Sequence, residues 1–294
     1  MLVGAMAIIG LIDNFIRFVA QEGGVWQFYL FRAVFASFII CVYLIARNRT
    51  LRPRSWRWVA LRSCLMASAI LIYFIGISVM PIAEAGATLF SSPIFLLIFS
   101  VLLFRTSVGY WRVISVFVGF VGVVLVLKPD PYNLDIFALV PAMAGAMYAL
   151  GQLVTRHKCA DEDVFVLLLG FFVGTGALGI LGLAAISVLD LPPHWIASAP
   201  FAATGWVFPT GKFLFWTMVQ GIGSLIAVAG LIRGYQVAEP TYITVFEYSL
   251  VVFAGFWGWI IWNEIPDAIS IIGIAAIILA GIVITTRSAK HGEG

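Results

Sequence analysis

The chain is written as a succession of apolar runs, each about as long as a bilayer core is thick. They can be drawn at 1–20, 25–46, 58–79, 82–104, 109–127, 134–154, 163–189, 208–232, 237–261 and 267–286. A helix needs about 20 residues to cross the hydrocarbon, so these ten runs predict ten transmembrane helices and leave almost nothing for a soluble domain. With 62% of the 294 residues hydrophobic and 11% charged, a water-soluble fold would lack the polar residues to cover itself. The expected fold class is an all-α integral membrane protein. The longest break, 190–208, carries Pro192, Pro193 and Pro200 and reads as a loop.

Basic residues set the expected orientation. Arg47, Arg49, Arg52, Arg54 and Arg57 crowd the second loop, Arg105 and Arg112 flank the fourth, and Arg156 and Lys158 mark the sixth. Arg233 lies in the eighth, and Arg287 and Lys290 follow the last run, whereas the odd-numbered loops hold only Lys128, with Lys212 just inside the eighth run. Positive charge favours the cytoplasmic side, so both termini are expected there. The first run has no basic region before it and contains Asp13 and Arg17, which argues for an uncleaved span over a signal peptide. A net charge of +3, scattered along the chain, speaks against a nucleic-acid partner. Cys41, Cys64 and Cys159 show no CxxC spacing, so neither a disulfide framework nor a metal site is expected. His157, His194 and His291 lie outside the apolar runs.

A repeat organises the runs. AEAGATLFSSPIFLLIFSVLLFRTSVGYWRVISVFVGFVGVVLVL, from Ala83, is echoed by AEPTYITVFEYSLVVFAGFWGWIIWNEIPDAISIIGIAAIILAGIVIT, from Ala238. Each copy is a span, a short polar elbow, then a glycine-bearing span. The halves are drawn at 1–129 (spans 1–5) and 130–294 (spans 6–10 and a short polar tail). Because five spans is an odd number, the second half enters the membrane from the opposite side. Such inverted repeats are associated with alternating access around a midplane site; the alternative is a duplication that merely enlarged a bundle.

The phrases AEAGATLFSSPIF, YLFRAVFA around Arg32, and AEPTYITVFEYSLVVFAGFWGWIIWNEIPD resemble the drug/metabolite transporter superfamily, EamA type, over essentially the whole chain. Within it the chain is similar to YddG-type amino-acid exporters. The resemblance implies a bacterial inner-membrane carrier whose cavity is lined by spans 1, 3, 4, 6, 8 and 9, with spans 5 and 10 peripheral. One departure shows. Asn263-Glu264 in the second elbow corresponds to Arg105-Thr106 in the first, so the acidic elbow occurs once.

An ionisable side chain near the bilayer centre costs upward of about 2.5 kcal/mol, so each one needs a partner or a task. Asp13 and Arg17 stand four apart, a spacing that allows an ion pair on one helix face. Asp13, Asn14 and Arg17 either line a polar route or lock spans 1 and 2 together, and Arg32 reads as architectural. Glu84 and Glu239 open their helices, where the helix dipole favours acids. Glu247 lies about ten residues into span 9 with no such explanation; it either meets substrate, carries a coupling proton, or bonds a neighbouring helix. Pro93, preceded by Ser91 and Ser92, is a hinge or a static kink. Tyr73, Tyr148, Gln152, Trp216, Gln220 and Tyr248 complete the candidates, the amides being the stronger because a buried unpaired amide is costly.

No P-loop, zinc-protease or nucleophile-elbow motif is present. The nearest approach, GWVFPTGKF, has one residue too many and ends in Phe. An enzyme, a primary pump and a cofactor are therefore not expected. The expected function is a secondary transporter or facilitator of a small amphipathic metabolite, an amino acid (aromatic ones included) fitting best and export favoured. A passive channel, or a carrier for a drug, nucleoside or vitamin, is the alternative. The expected partners are that solute and the lipid bilayer. Oligomeric state is left open, a monomer being sufficient.

Overall fold

Helices form all the regular structure in the computed structural model, which describes residues 1–79, 89–106, 108–128, 139–189, 192, 196–197 and 199–288. Among these residues there is no strand. In chain order they are α1 (Leu2–Asn14), α2 (Ile16–Ala20), α3 (Val25–Ala46), α4 (Trp56–Val79), α5 (Ser92–Leu102), α6 (Tyr110–Leu127) and α7 (Leu139–Lys158). There follow α8 (Val164–Val188), the short α9 (Pro200–Ala203), α10 (Gly211–Val237), α11 (Pro240–Glu247), α12 (Ser249–Trp262) and α13 (Ala268–Ser288). Among the described residues eight stretches are long and apolar enough to cross a membrane, two of them built from the pairs α1–α2 and α11–α12. The chain is a multi-pass membrane protein.

Local chemistry fixes the helix ends. The side chains of Asp163 and Thr210 accept hydrogen bonds from Phe165 N and Phe213 N, capping α8 and α10. Pro200 and Pro240 occupy first turns, where a missing N–H costs nothing. The two elbows close alike. Arg105 and Asn263 both adopt left-handed backbone, with φ of 52° and 55°. In each, the next residue donates its N–H six residues back, Thr106 to Ser100 O and Glu264 to Gly258 O, which satisfies a carbonyl in the last turn of the helix. Glu84, in the first copy's opening, lies outside the described residues.

Two spans differ from the uninterrupted helices expected. The first breaks at Phe15, whose N–H bonds three residues back to Ile12 O, and the ninth breaks at Tyr248. Neither break carries Pro or Gly. At the first, Asn14 Nδ2 donates to Gly10 O at 2.8 Å; at the second, Ser249 Oγ donates to Phe246 O at 2.6 Å. Side chains thus take up carbonyls near each slip. Span 4 is described from Leu89 onward, and α5 starts only at Ser92, so Pro93 occupies a first helical turn and displaces no hydrogen bond within α5. The α10 helix runs five residues beyond the drawn span and includes Arg233.

The helices pair across the chain: α6 with α13, α3 with α8, α4 with α7, and α1 with both α10 and α12. The α6–α13 seam is backbone on backbone, since a Cβ on Gly122 would stand 2.7 Å from Gly273 O and one on Gly273 2.6 Å from Gly122 O. At Gly182 of α8 a Cβ would fall within the ring of Trp26 on α3. Such close approach requires glycine.

Each end of the bundle has its own polar seal. At one, the buried carboxylate of Glu162 accepts from the amides of Arg54 and Ser55 at 2.9 and 2.7 Å, while Gln236 Nε2 donates to the carbonyls of Cys159 and Glu162. Lys158 lies over Trp58 at this same end, so the basic segments 47–57 and 156–158 come together. At the other, Trp26 Nε1 donates to Ala202 O and Gln27 Nε2 to Val207 O, and Lys128 pairs with Asp267. Lys128 and Ser270 hold the Asp267 carboxyl well below the usual carboxylate range.

Candidate functional site

A cavity of about 140 Å³ lies among spans 1–4 and 6–9, its walls mostly apolar. Met66 and Ile70 from α4, Phe171 from α8, and Val228 and Leu231 from α10 supply much of that surface. Spans 5 and 10, which pack on one another, contribute no lining residue.

Polar groups converge on this space from two sides. On one, Asp13 from α1 faces Arg32 from α3 and Gln220 from α10. Arg32 is 4% exposed; its Nη1 reaches Gln220 Oε1 at 3.4 Å, and its guanidinium sits 5.2 Å from the Phe28 ring and 5.0 Å from that of Tyr29. These rings stabilise the cation through their π faces. Arg32 Nε and Nη2 are buried with no hydrogen-bond partner among the described residues. Asp13 feels the charge of Arg32, but no ion pair joins them.

On the other side Glu247, the last residue of α11, accepts a hydrogen bond from Tyr148 Oη at 2.9 Å. Arg62 from α4 is held by Thr155 Oγ1 at 3.3 Å and Leu167 O at 2.9 Å. Gln152 lines the same wall, 1% exposed, with an Oε1 that has no partner among the described residues. The cavity therefore holds two carboxylates and two guanidinium groups, and a small solute bearing both charges would find opposite charge available for each.

Residues 1–128 match the EamA-like transporter family. The chain carries an EamA-family domain. Similar proteins extend along nearly all of it. The Pseudopaline exporter CntI of Pseudomonas aeruginosa is 26% identical over 87% of this chain and 84% of its own. The S-adenosylmethionine uptake transporter of Rickettsia bellii is 24% identical over 88% and 83%, and the riboflavin transporter of Vibrio cholerae 23% identical over 88% and 82%. One solved crystal structure shares the fold, with a TM-score of 0.77 at 18% identity, covering 99% of this chain and 96% of its own.

The EamA domain supplies the cavity with Asp13, Arg32, Arg62, Tyr73, Ser92 and Pro93, and the rest of the chain supplies Tyr148, Gln152, Gln220 and Glu247. Other residues singled out from the sequence lie elsewhere. Asn14 bridges to Ala254 O of α12. Arg17 does not meet Asp13; it pairs with Glu264 at 2.7 Å and lies over Trp262. Trp216 stacks on Phe18 in an aromatic cluster near Arg17. Tyr248 turns towards α6, its hydroxyl donating to Val116 O. Ser91 precedes the α5 helix without lining the cavity. Sequence reasoning missed Arg62 and took Arg32 as architectural. The signal for Arg62 was its place inside an apolar run, obscured by the arginine-rich loop just before it. Spans 2 and 7, which the family resemblance left out of the lining, contribute Arg32 and Phe171.

Proposed function

We propose that this chain is a secondary transporter that carries a small amphipathic metabolite across the bacterial inner membrane by alternating access, with an amino acid as the best-fitting class and export as the favoured direction. The EamA match and relatives named as transporters point to a transporter and not to an enzyme. The observation that carries the reading is the mid-bundle cavity, apolar on most of its surface yet holding Asp13, Arg32, Arg62 and Glu247. A group of this polarity kept within a membrane helix marks a solute route by its cost.

The ten-span, inverted-repeat architecture with both termini cytoplasmic belongs to the same proposal. It is supported by the two elbows closed with the same six-residue hydrogen bond, and by the helix pairs, which are preserved when spans 1–5 are exchanged for spans 6–10: 3 with 6 matches 8 with 1, and 4 with 6 matches 9 with 1. The relatives' names cover a metal chelator, a sulfonium nucleoside and a flavin, so a carrier for another solute is the alternative, and a passive channel the second.

Purified protein in liposomes, loaded with one unlabelled amino acid at a time, should show saturable counterflow of the labelled compound. Flux that is linear in concentration, with no trans-stimulation, would indicate a channel. Glu247→Gln should cut counterflow at least tenfold while the protein remains monodisperse; unchanged exchange at every pH tested would remove Glu247 from the mechanism.

A further inference from the structure

Arg32 presents its partners on one side only. Nη1 has Gln220, but Nε and Nη2, the two nitrogens whose N–H bonds run parallel along one edge of the guanidinium plane, are buried and unpartnered among the described residues. That edge matches the spacing of two oxygens on a carboxylate, and parallel N–H···O bonds to such an acceptor are among the strong charge-assisted ones. Buried donors without acceptors are rare and costly, so the empty edge of a residue lining a cavity points to an acceptor brought in by the solute. The protein has an acceptor of its own within electrostatic range, the Asp13 carboxylate, and does not use it for this purpose. Asp13 makes no side-chain hydrogen bond with the described residues, which leaves its oxygens open to a donor.

We propose that the Nε–Nη2 edge of Arg32 anchors a carboxylate on the transported solute while Asp13 receives an amino group on the same molecule. This rests on the cavity being a transport site, and it names the solute as one whose carboxylate and ammonium are close together. Arg17 is not the anchor, because it is engaged with Glu264 and Trp262 away from the cavity. The apolar wall of Met66, Ile70 and Phe171 would then take the side chain.

Matched probes test this without any variant: phenylalanine, phenylalaninamide without the carboxylate, 3-phenylpropionate without the amine, and phenethylamine without the carboxylate. Inhibition of phenylalanine counterflow by each should follow the charges. Phenylalanine should bind at least tenfold more tightly than phenylalaninamide, and 3-phenylpropionate more tightly than phenethylamine. Arg32→Lys keeps the charge but removes the two-pronged edge; it should weaken phenylalanine at least tenfold and leave phenylalaninamide within twofold. Asp13→Asn should weaken phenylalanine and leave 3-phenylpropionate unchanged. Equal potency of phenylalanine and phenylalaninamide, or an Arg32→Lys protein that treats all four probes as the wild type does, overturns the assignment to Arg32 and leaves the transport reading standing. Absence of exchange for every amino acid and every probe overturns the amino-acid reading and this inference with it.

Discussion

Arg32 and Arg62 are the same residue, buried to the same degree in membrane helices beside one cavity, and the protein treats them differently. Arg62 is tied on two sides, to Thr155 of α7 and Leu167 O of α8, and Thr155 is itself anchored to Gly151 O. Arg32 has one long hydrogen bond and aromatic faces around it. Burial of a charge costs several kcal/mol unless partners offset it. For Arg62 the offset is internal and permanent, so it works as a rivet between three helices. For Arg32 the offset is incomplete until something enters the cavity. Satisfaction, more than burial, separates a structural arginine from a binding one.

That contrast can be broken most directly by removing each arginine in turn. Arg62→Gln loses two hydrogen bonds from a charged donor, each worth about 1.5–3 kcal/mol, and should lower stability by about 3 kcal/mol in thermal unfolding in detergent. Arg32→Gln should be close to neutral for stability, because it also removes a poorly partnered buried charge. Similar losses for both would erase the distinction. A smaller effect should come from Tyr148→Phe, which deletes the hydrogen bond to Glu247; at about 1–1.5 kcal/mol it should weaken counterflow roughly tenfold without lowering the melting temperature to the extent of Arg62→Gln. The smallest should come from Glu264→Gln. Its ion pair with Arg17 is half-exposed, so the loss should stay under about 1 kcal/mol, and probe affinities should not change; a large change in affinity would bring Arg17 back to the solute.

Much of the fold was legible because lipid imposes a simple rule on helix length, and the run ends at 25–46 and 109–127 agree with α3 and α6 to within a residue. The cavity was legible in part, through polar types that hydrocarbon penalises: Asp13, Gln152, Gln220 and Glu247 all line it. What the residues hid was direction. Asp13 and Arg17 are one turn apart only on an unbroken helix, and the slip at Phe15 falls between them. Tyr248 follows Glu247 by one residue, about 100° round a helix, and so faces α6 when its neighbour faces the cavity. Neither slip has a proline or glycine to mark it. Arg62 was masked for a different reason, since five arginines just upstream make one more look like part of the loop.

The seam between α6 and α13 bears on how such a molecule can move. With Gly122 and Gly273 each set against the other's carbonyl, the two backbones touch there, and buried side chains such as Val123 and Ile277 interlock beside that contact. The two helices come from opposite halves of the chain and line none of the cavity, so in the transport cycle proposed above they would serve as a stator, a fixed pair about which the helices that enclose the pocket swing.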